Sequence, residues 1–128
     1  MKKMAFICPL SEEGSDIRKR SDEIMKGFLK PIAEELGYSE PMRADSLSGP
    51  NIMSDIIGML YQTDIVVADF SDLNVNVFYE LGLFNAIKGK FITIRQRKNI
   101  KEPVPFDTTY FRVLEYNYPD NSPIFFCR

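Results

Sequence analysis

Histidine is absent from this chain of 128 residues. That removes the Ser-His-Asp and Cys-His routes to an activated nucleophile, and most zinc-ligand sets with them. Tryptophan is absent too. The two cysteines, Cys8 and Cys127, are isolated in sequence, so there is no CxxC metal or redox motif. A bridge between them would depend on the fold bringing them together. Two cysteines and no signal peptide suggest a reducing cytoplasm. Long apolar runs are also missing: Met1-Lys2-Lys3 leads only into Met4 to Cys8. A membrane span needs roughly 20 apolar residues, so no membrane partner is expected. The formal charge of −2 gives no electrostatic case for a nucleic-acid partner. Neither GxGxxG nor GxxxxGK occurs, which removes the dinucleotide and P-loop fingerprints.

What is present is enough for one domain over 1–128, with a core that needs no staples. Met4 to Cys8 reads as a buried strand closed by Pro9. Pro9 to Gly14 is then a loop. Ile17, Ile24, Met25, Phe28, Leu29, Ile32 and Leu36 recur at helix spacing, which predicts a helix over 15–36. Pro31 should bend it and Gly37 should stop it. Tyr38 to Arg43 is a weak strand, and Asn51 can cap a second helix with Ile52, Met53, Ile56, Ile57 and Leu60 on its apolar face. A strand over 64–69, a helix from about Asn76 to Lys88, a strand Phe91 to Ile94 and a last strand Tyr110 to Tyr116 complete the pattern. Residues 95–109 form a polar loop between the last two strands.

Strands alternating with helices imply a parallel sheet covered on both faces. The expected class is α/β, a flavodoxin-like doubly wound sheet of five strands in the order 2-1-3-4-5. Pro119 and Pro123 argue against a closing helix in the tail, whose Ile124-Phe125-Phe126 wants cover. This suggests a domain cut from a longer chain, or one that uses a partner as cover. Phe78, Tyr79, Phe84, Phe91, Phe106, Tyr110 and Phe111 are expected mostly in the core, Tyr38 and Tyr61 as packing residues, and Gly82 as a site of close helix packing.

The carboxyl edge of such a sheet is where ligands bind. The strand Ile65 to Ala68 ends there on Asp69, and a short polar loop delivers Glu80 into the first turns of the next helix. A carboxylate near a helix N-terminus is kept ionised by the helix dipole, which suits a nucleophile or an oxocarbenium stabiliser. The alternative is stability alone: Asn74 or Asn76 can simply cap the helix. Other groups on this edge are Ser11, Glu12, Arg43, Asp45, Ser48, Asp72, Asn74, Asn76 and Arg95. Lys88, Lys90, Arg95, Arg97, Lys98 and Lys101 form either a solvated rim or a phosphate-attracting edge. A phosphorylation receiver is disfavoured: Cys8-Pro9-Leu10 stands where an acidic pair is needed, and Asn117 to Pro119 offers no lysine.

Several stretches resemble a known group: Phe6-Ile7-Cys8-Pro9-Leu10-Ser11, Arg20-Ser21-Asp22-Glu23-Ile24, Arg43-Ala44-Asp45, Asp64 to Asp69 with Asn74 to Gly82, and Val104-Pro105-Phe106-Asp107 with Tyr110-Phe111-Arg112. The pattern resembles bacterial TIR-like domains close to the nucleoside 2-deoxyribosyltransferases, over about residues 4–116. The resemblance implies cleavage of an N-glycosidic bond in NAD or in a nucleoside or nucleotide. It implies that Glu80 attacks the anomeric carbon and that Asp69 handles the leaving base. Cys8, Pro9, Leu10, Ser11, Asp45, Ser48, Asn74, Asn76 and Arg95 would then bind substrate. Asn74 stands where the transferases have Asp, and an amide cannot act as an acid. The Trp-Cys motif of NAD-cleaving TIR enzymes is missing. No cofactor or metal is implied beyond NAD as a substrate. Homo-oligomerisation or an adjoining sensor domain, and a role in antiviral defence, belong to the same expectation. The other reading is a non-catalytic interaction module.

Overall fold

The computed structural model describes residues 1–46, 52–87, 90–96, 113–118 and 126–127. Six strands form one sheet: β1 (Met4–Ile7), β2 (Met42–Arg43), β3 (Ile65–Asp69), β4 (Phe91–Gln96), β5 (Val113–Tyr116) and β6 (Phe126–Cys127). Their order is β2-β1-β3-β4-β5-β6. The first five are parallel, which is the expected 2-1-3-4-5 arrangement. β6 pairs antiparallel with β5, Leu114 opposite Cys127, and so covers an edge of the sheet. The tail thus supplies a strand that its two prolines gave no reason to expect. Three strands separate β1 from β6, and Cys8, which directly follows β1, is a free thiol.

Strand residues alternate between two faces, as the pleat requires. Ala5, Ile7, Val66 and Ala68 meet Ile56, Met59 and Leu60 of α3 (Ile52–Gln62) and Val77, Leu81 and Phe84 of α4 (Val75–Ile87). Met4, Phe6, Val67, Ile94 and Tyr116 face the other way, onto Ile24, Leu29 and Ala33 of the first helical segment. That segment is α1 (Asp16–Ile24), a π-helical turn over Met25–Leu29, and α2 (Lys30–Leu36). Pro31 lacks the N–H that a regular helix would use there, and the wider turn just before it absorbs the mismatch. Ser15 caps α1 by accepting the Arg18 N–H at 3.2 Å. Gly37, at φ 80°, ends α2, with the Tyr38 N–H returning to the Ala33 carbonyl at 2.8 Å.

Several local expectations are corrected. The second strand is only Met42–Arg43, although Tyr38 makes one bridge to Lys2. Tyr61 and Tyr79 are 65% and 55% exposed rather than packed, and Ile57 also reaches solvent. Each sits on the outer side of a helix whose inner side already fills the sheet face. Gly82 is exposed, and a methyl group there would touch nothing within 4 Å, so close packing is not its role. β4 runs on through Arg95 and Gln96, two residues longer than the apolar run suggests, because Thr93 to Gln96 pair with Val113 to Tyr116. Asn51, the expected cap of α3, lies outside the described residues, as do Lys88, Phe106, Tyr110 and Phe111. Among the described residues no helix is long and apolar enough to cross a membrane.

Candidate active site

Five parallel strands deliver their carboxyl ends to one edge, so the segments after β1, β2, β3, β4 and β5 share it. Asp69 ends β3 and is fully buried. Both of its oxygens are engaged: Oδ1 accepts the Ser71 N–H at 2.9 Å, and Oδ2 accepts the Tyr116 hydroxyl at 2.6 Å. Ser71 Oγ lies 3.2 Å from that hydroxyl and accepts the Gln96 N–H at 2.9 Å. The Phe70 N–H donates to the Ile94 carbonyl at 2.8 Å. β3, its following loop, β4 and β5 are therefore tied into one knot. Burial pushes the Asp69 carboxyl up, while Ser71, Tyr116 and the charge of Arg20 pull the other way. Tyr116 is raised by the same burial and by the carboxylate beside it.

The loop continues through Asp72 and Leu73, at φ 63° and 48°, two consecutive left-handed residues that are not glycine. Asn74 then caps α4, its Oδ1 accepting the Asn76 and Val77 N–H groups at 3.0 and 3.3 Å. Asn76 itself is exposed on the first turn.

Glu80 follows in the second turn of α4. It is half-buried and is the single charged residue in a helix of 13 residues. Helical side chains lean toward the N-terminus, here toward the carboxyl edge. Among the described residues no hydrogen bond or ion pair reaches its carboxylate. Burial alone pushes it up to about 7. This corrects the expectation that the helix dipole keeps it ionised. The dipole's effect is confined to the first turn, and Glu80 lies beyond it and partly out of water, so desolvation wins.

On the β2 side, charges are matched. Arg43 is buried and grips Asp45 through Nε at 2.5 Å and Nη2 at 2.7 Å, and Asp22 through Nη2 at 2.7 Å. Arg18 reaches Asp45 at 2.8 Å and the Ser11 carbonyl at 3.3 Å. The Arg43 hydrogen bonds hold Asp45 below the usual carboxylate range. Asp45 is thus a member of an ion-pair cluster that fastens β2 and the segment after it to α1. A cleft lined by Met25, Glu40, Pro41, Met42, Arg43 and Asp45 borders this cluster. It includes none of the Asp69 and Glu80 neighbourhood, and its charged walls are already paired, Arg43 with Asp45 and Glu40 with Lys30, which makes it a poor candidate for the chemistry.

The remaining expected binding residues divide clearly. Cys8 is buried in the core against α1, and burial pushes its thiol up to about 12. Pro9 is buried, with its carbonyl accepting the Ser21 hydroxyl at 2.8 Å. Leu10 packs on the same core, leaving Ser11 exposed. Cys8 and Pro9 therefore lie beneath the edge, with Leu10 half-buried above them. Arg95 is a strand residue opposite Glu115 of β5, not part of a phosphate-holding loop. Ser48, Arg97 and Lys98 lie outside the described residues. Among the described residues no group of three His, Cys, Asp or Glu could hold a metal. The sequence reading missed Tyr116, Ser71 and Arg20. Arg20 had a usable signal: with Ile17, Ser21 and Ile24 it falls on the inward stripe of α1, where a charge needs a buried partner.

No family model matches the chain, and no curated protein matches it. Solved structures do. The chain shares its fold with a 2-desoxiribosyltransferase. That protein, from Leishmania mexicana, superposes with a TM-score of 0.56 over 82% of this chain and 74% of its own, at 16% identity. At that identity the likeness is one of fold. It agrees with the parallel 2-1-3-4-5 sheet.

Proposed function

We propose that this chain breaks the N-glycosidic bond of a nucleoside, nucleotide or NAD, with Glu80 as the group that meets the anomeric carbon. The observation that carries this reading is a half-buried carboxylate, unpartnered among the described residues, on the helix that follows the central strand of a deoxyribosyltransferase-type fold. The bond from the sugar carbon to the base nitrogen breaks, and its electron pair leaves with the base. An ionised Glu80 either bonds to that carbon or stabilises its oxocarbenium form, and water or a second base then takes its place. Asp69 does not touch the leaving base in this reading. It is buried with both oxygens engaged, and it shapes the loop that presents Glu80. A leaving group that is already cationic, such as nicotinamide in NAD, needs no acid, which fits a site with one poised carboxylate.

The test is to incubate wild-type protein and Glu80→Gln with NAD and a panel of nucleosides and nucleotides, following free base by chromatography. Base released by the wild type alone supports the reading; equal release by both removes Glu80 from the chemistry, and release by neither counts against the N-glycosidase reading itself. A second reading, a TIR-like module that self-assembles, draws on the exposed Ile57, Tyr61, Val75 and Tyr79 of α3 and α4. It expects concentration-dependent assembly that Glu80→Gln leaves intact.

A further inference from the structure

Arg20 lies on α1 with 4% of its surface exposed. Burying a guanidinium is strongly unfavourable unless a matching charge is buried with it. The carboxylate it contacts belongs to the segment between β3 and α4: its Nη2 stands 2.9 Å from Asp72 Oδ2. Tyr116 at the end of β5 and Asp69 at the end of β3 act on it as well. The Nη2 contact is close in distance but not aligned as a directed hydrogen bond, and Nε makes none. Arg20 therefore contributes charge at a fixed place rather than a forked grip.

Asp72 and Leu73 both occupy the left-handed region, which side chains other than glycine disfavour. A leucine gains nothing there from local hydrogen bonding, so the surroundings must hold the pair. The two flanks are held already, Ser71 by Asp69 and Gln96, and Asn74 by its cap on α4. Between them stand the Leu73 N–H to Phe70 carbonyl bond, at 3.2 Å, and the Arg20–Asp72 pair. We infer that Arg20 is a positioning residue for Glu80: through Asp72 it holds the left-handed pair from α1, and so sets where α4 starts and where the Glu80 carboxylate lies. This deepens, and in its kinetic part rests on, the N-glycosidase reading. Arg20 is too buried to touch a substrate itself.

The test uses wild type, Arg20→Gln, Asp72→Asn, the double variant and Arg20→Lys. Asparagine tolerates left-handed backbone, and the Asp72 side chain is 35% exposed, so Asp72→Asn removes the charge without removing the turn. It carries the experiment should Arg20→Gln not fold. Each single variant should lose turnover on the order of 100-fold, the effect of a small misplacement of a reacting group. KM should stay within about twofold, since no substrate contact is lost. The double variant should lose no more than either single one, and Arg20→Lys should recover part of the loss by keeping the charge. Independently of any substrate, the Glu80 carboxyl, followed by carbon-13 NMR, should titrate lower in both single variants than in wild type. A purely structural Arg20 would lower the melting midpoint but leave kcat and the Glu80 titration of the folded variants unchanged, and that result overturns the inference. Losses that multiply in the double variant overturn it too. Failure of the N-glycosidase reading is seen elsewhere, as a wild type that releases no base, while the Glu80 titration still decides whether Arg20 governs that carboxylate.

Discussion

Asp69 and Glu80 are both carboxyl groups raised by burial, and they flank one short loop, yet their surroundings differ in kind. Asp69 is sealed, with a backbone N–H on one oxygen and a tyrosine hydroxyl on the other. Glu80 keeps some contact with solvent, and no described residue answers it. Burial with partners makes a carboxylate a structural tie, since removing it strands every group it satisfied. Burial without partners leaves an acid near 7 that changes protonation over the neutral range, which is where a group that does chemistry is useful. The same contrast separates the two helical layers. The α1 side pairs its less exposed charges, Arg18 and Arg43 against Asp22 and Asp45, and Arg20 against Asp72. α4 on the opposite side carries one charge and leaves it alone.

The sharpest way to break this comparison is to remove each carboxylate in turn. Glu80→Gln should abolish base release, by on the order of 10³-fold or more, without loss of stability. Asp69→Ala should destabilise by about 3–5 kcal/mol, as does taking one partner from a buried charge network. Against a typical total of about 5–15 kcal/mol, that brings the domain close to unfolding. Urea midpoints and chromatography of free base decide both. The pH dependence separates them further. Base release by wild type should rise with pH through about 7, as Glu80 ionises. Stability should move the other way. A carboxyl raised from 4.5 to about 7 in the folded protein binds its proton more tightly there than in the unfolded chain. Its contribution is therefore complete below about 4.5 and is lost as pH rises to about 7. Glu80→Gln should flatten that part of the profile.

Much of the frame is legible in the sequence alone. Apolar runs such as Ile65 to Ala68 and the helical repeat from Ile17 to Leu36 place strands and helices in an order that the handedness of parallel crossovers then constrains. Asp69 and Glu80 were legible as well, because a strand end and a helix start fix both positions. What each carboxylate does was not. The partner of Asp69 is Tyr116, 47 positions away on β5, and no local pattern encodes a hydrogen bond of that span. The extension of β4 through Arg95 and Gln96 was hidden for a related reason. Polar residues read as loop until a neighbouring strand, with Glu115 opposite Arg95, gives them a ladder to join. The raised pKa of Glu80 depends on how far the fold takes it out of water. That is a property of packing, and helix position alone points the opposite way.

Tyr116→Phe sharpens the comparison on its sealed side. It removes one hydroxyl and keeps the ring, so the core around Phe6 and Ile94 stays filled. Asp69 Oδ2 loses its donor and Ser71 Oγ loses its neighbour. Leaving a buried acceptor unsatisfied costs about 1–3 kcal/mol. A matched loss in thermal stability is expected, with Glu80 still titrating near its wild-type position. A variant as stable as wild type would show that Asp69 is not the tie described here.

The smallest effect tests the point where the sealed and open regions meet. Asn74 closes the loop that Asp69 anchors and opens the helix that carries Glu80. Asn74→Ala removes the acceptor for the Asn76 and Val77 N–H groups, at a cost of about 1 kcal/mol by the usual scale of N-caps. Asn74→Asp keeps the acceptor and adds a negative charge at the helix start, which the dipole favours by about 0.3–1 kcal/mol. If capping is the whole of its role, stability orders the three proteins with Asp highest and Ala lowest, and base release follows the same order weakly. A large loss of base release in both variants, with stability in the expected order, would instead show the Asn74 amide meeting the substrate. The open side of the comparison would then reach back to the first residue of the cap.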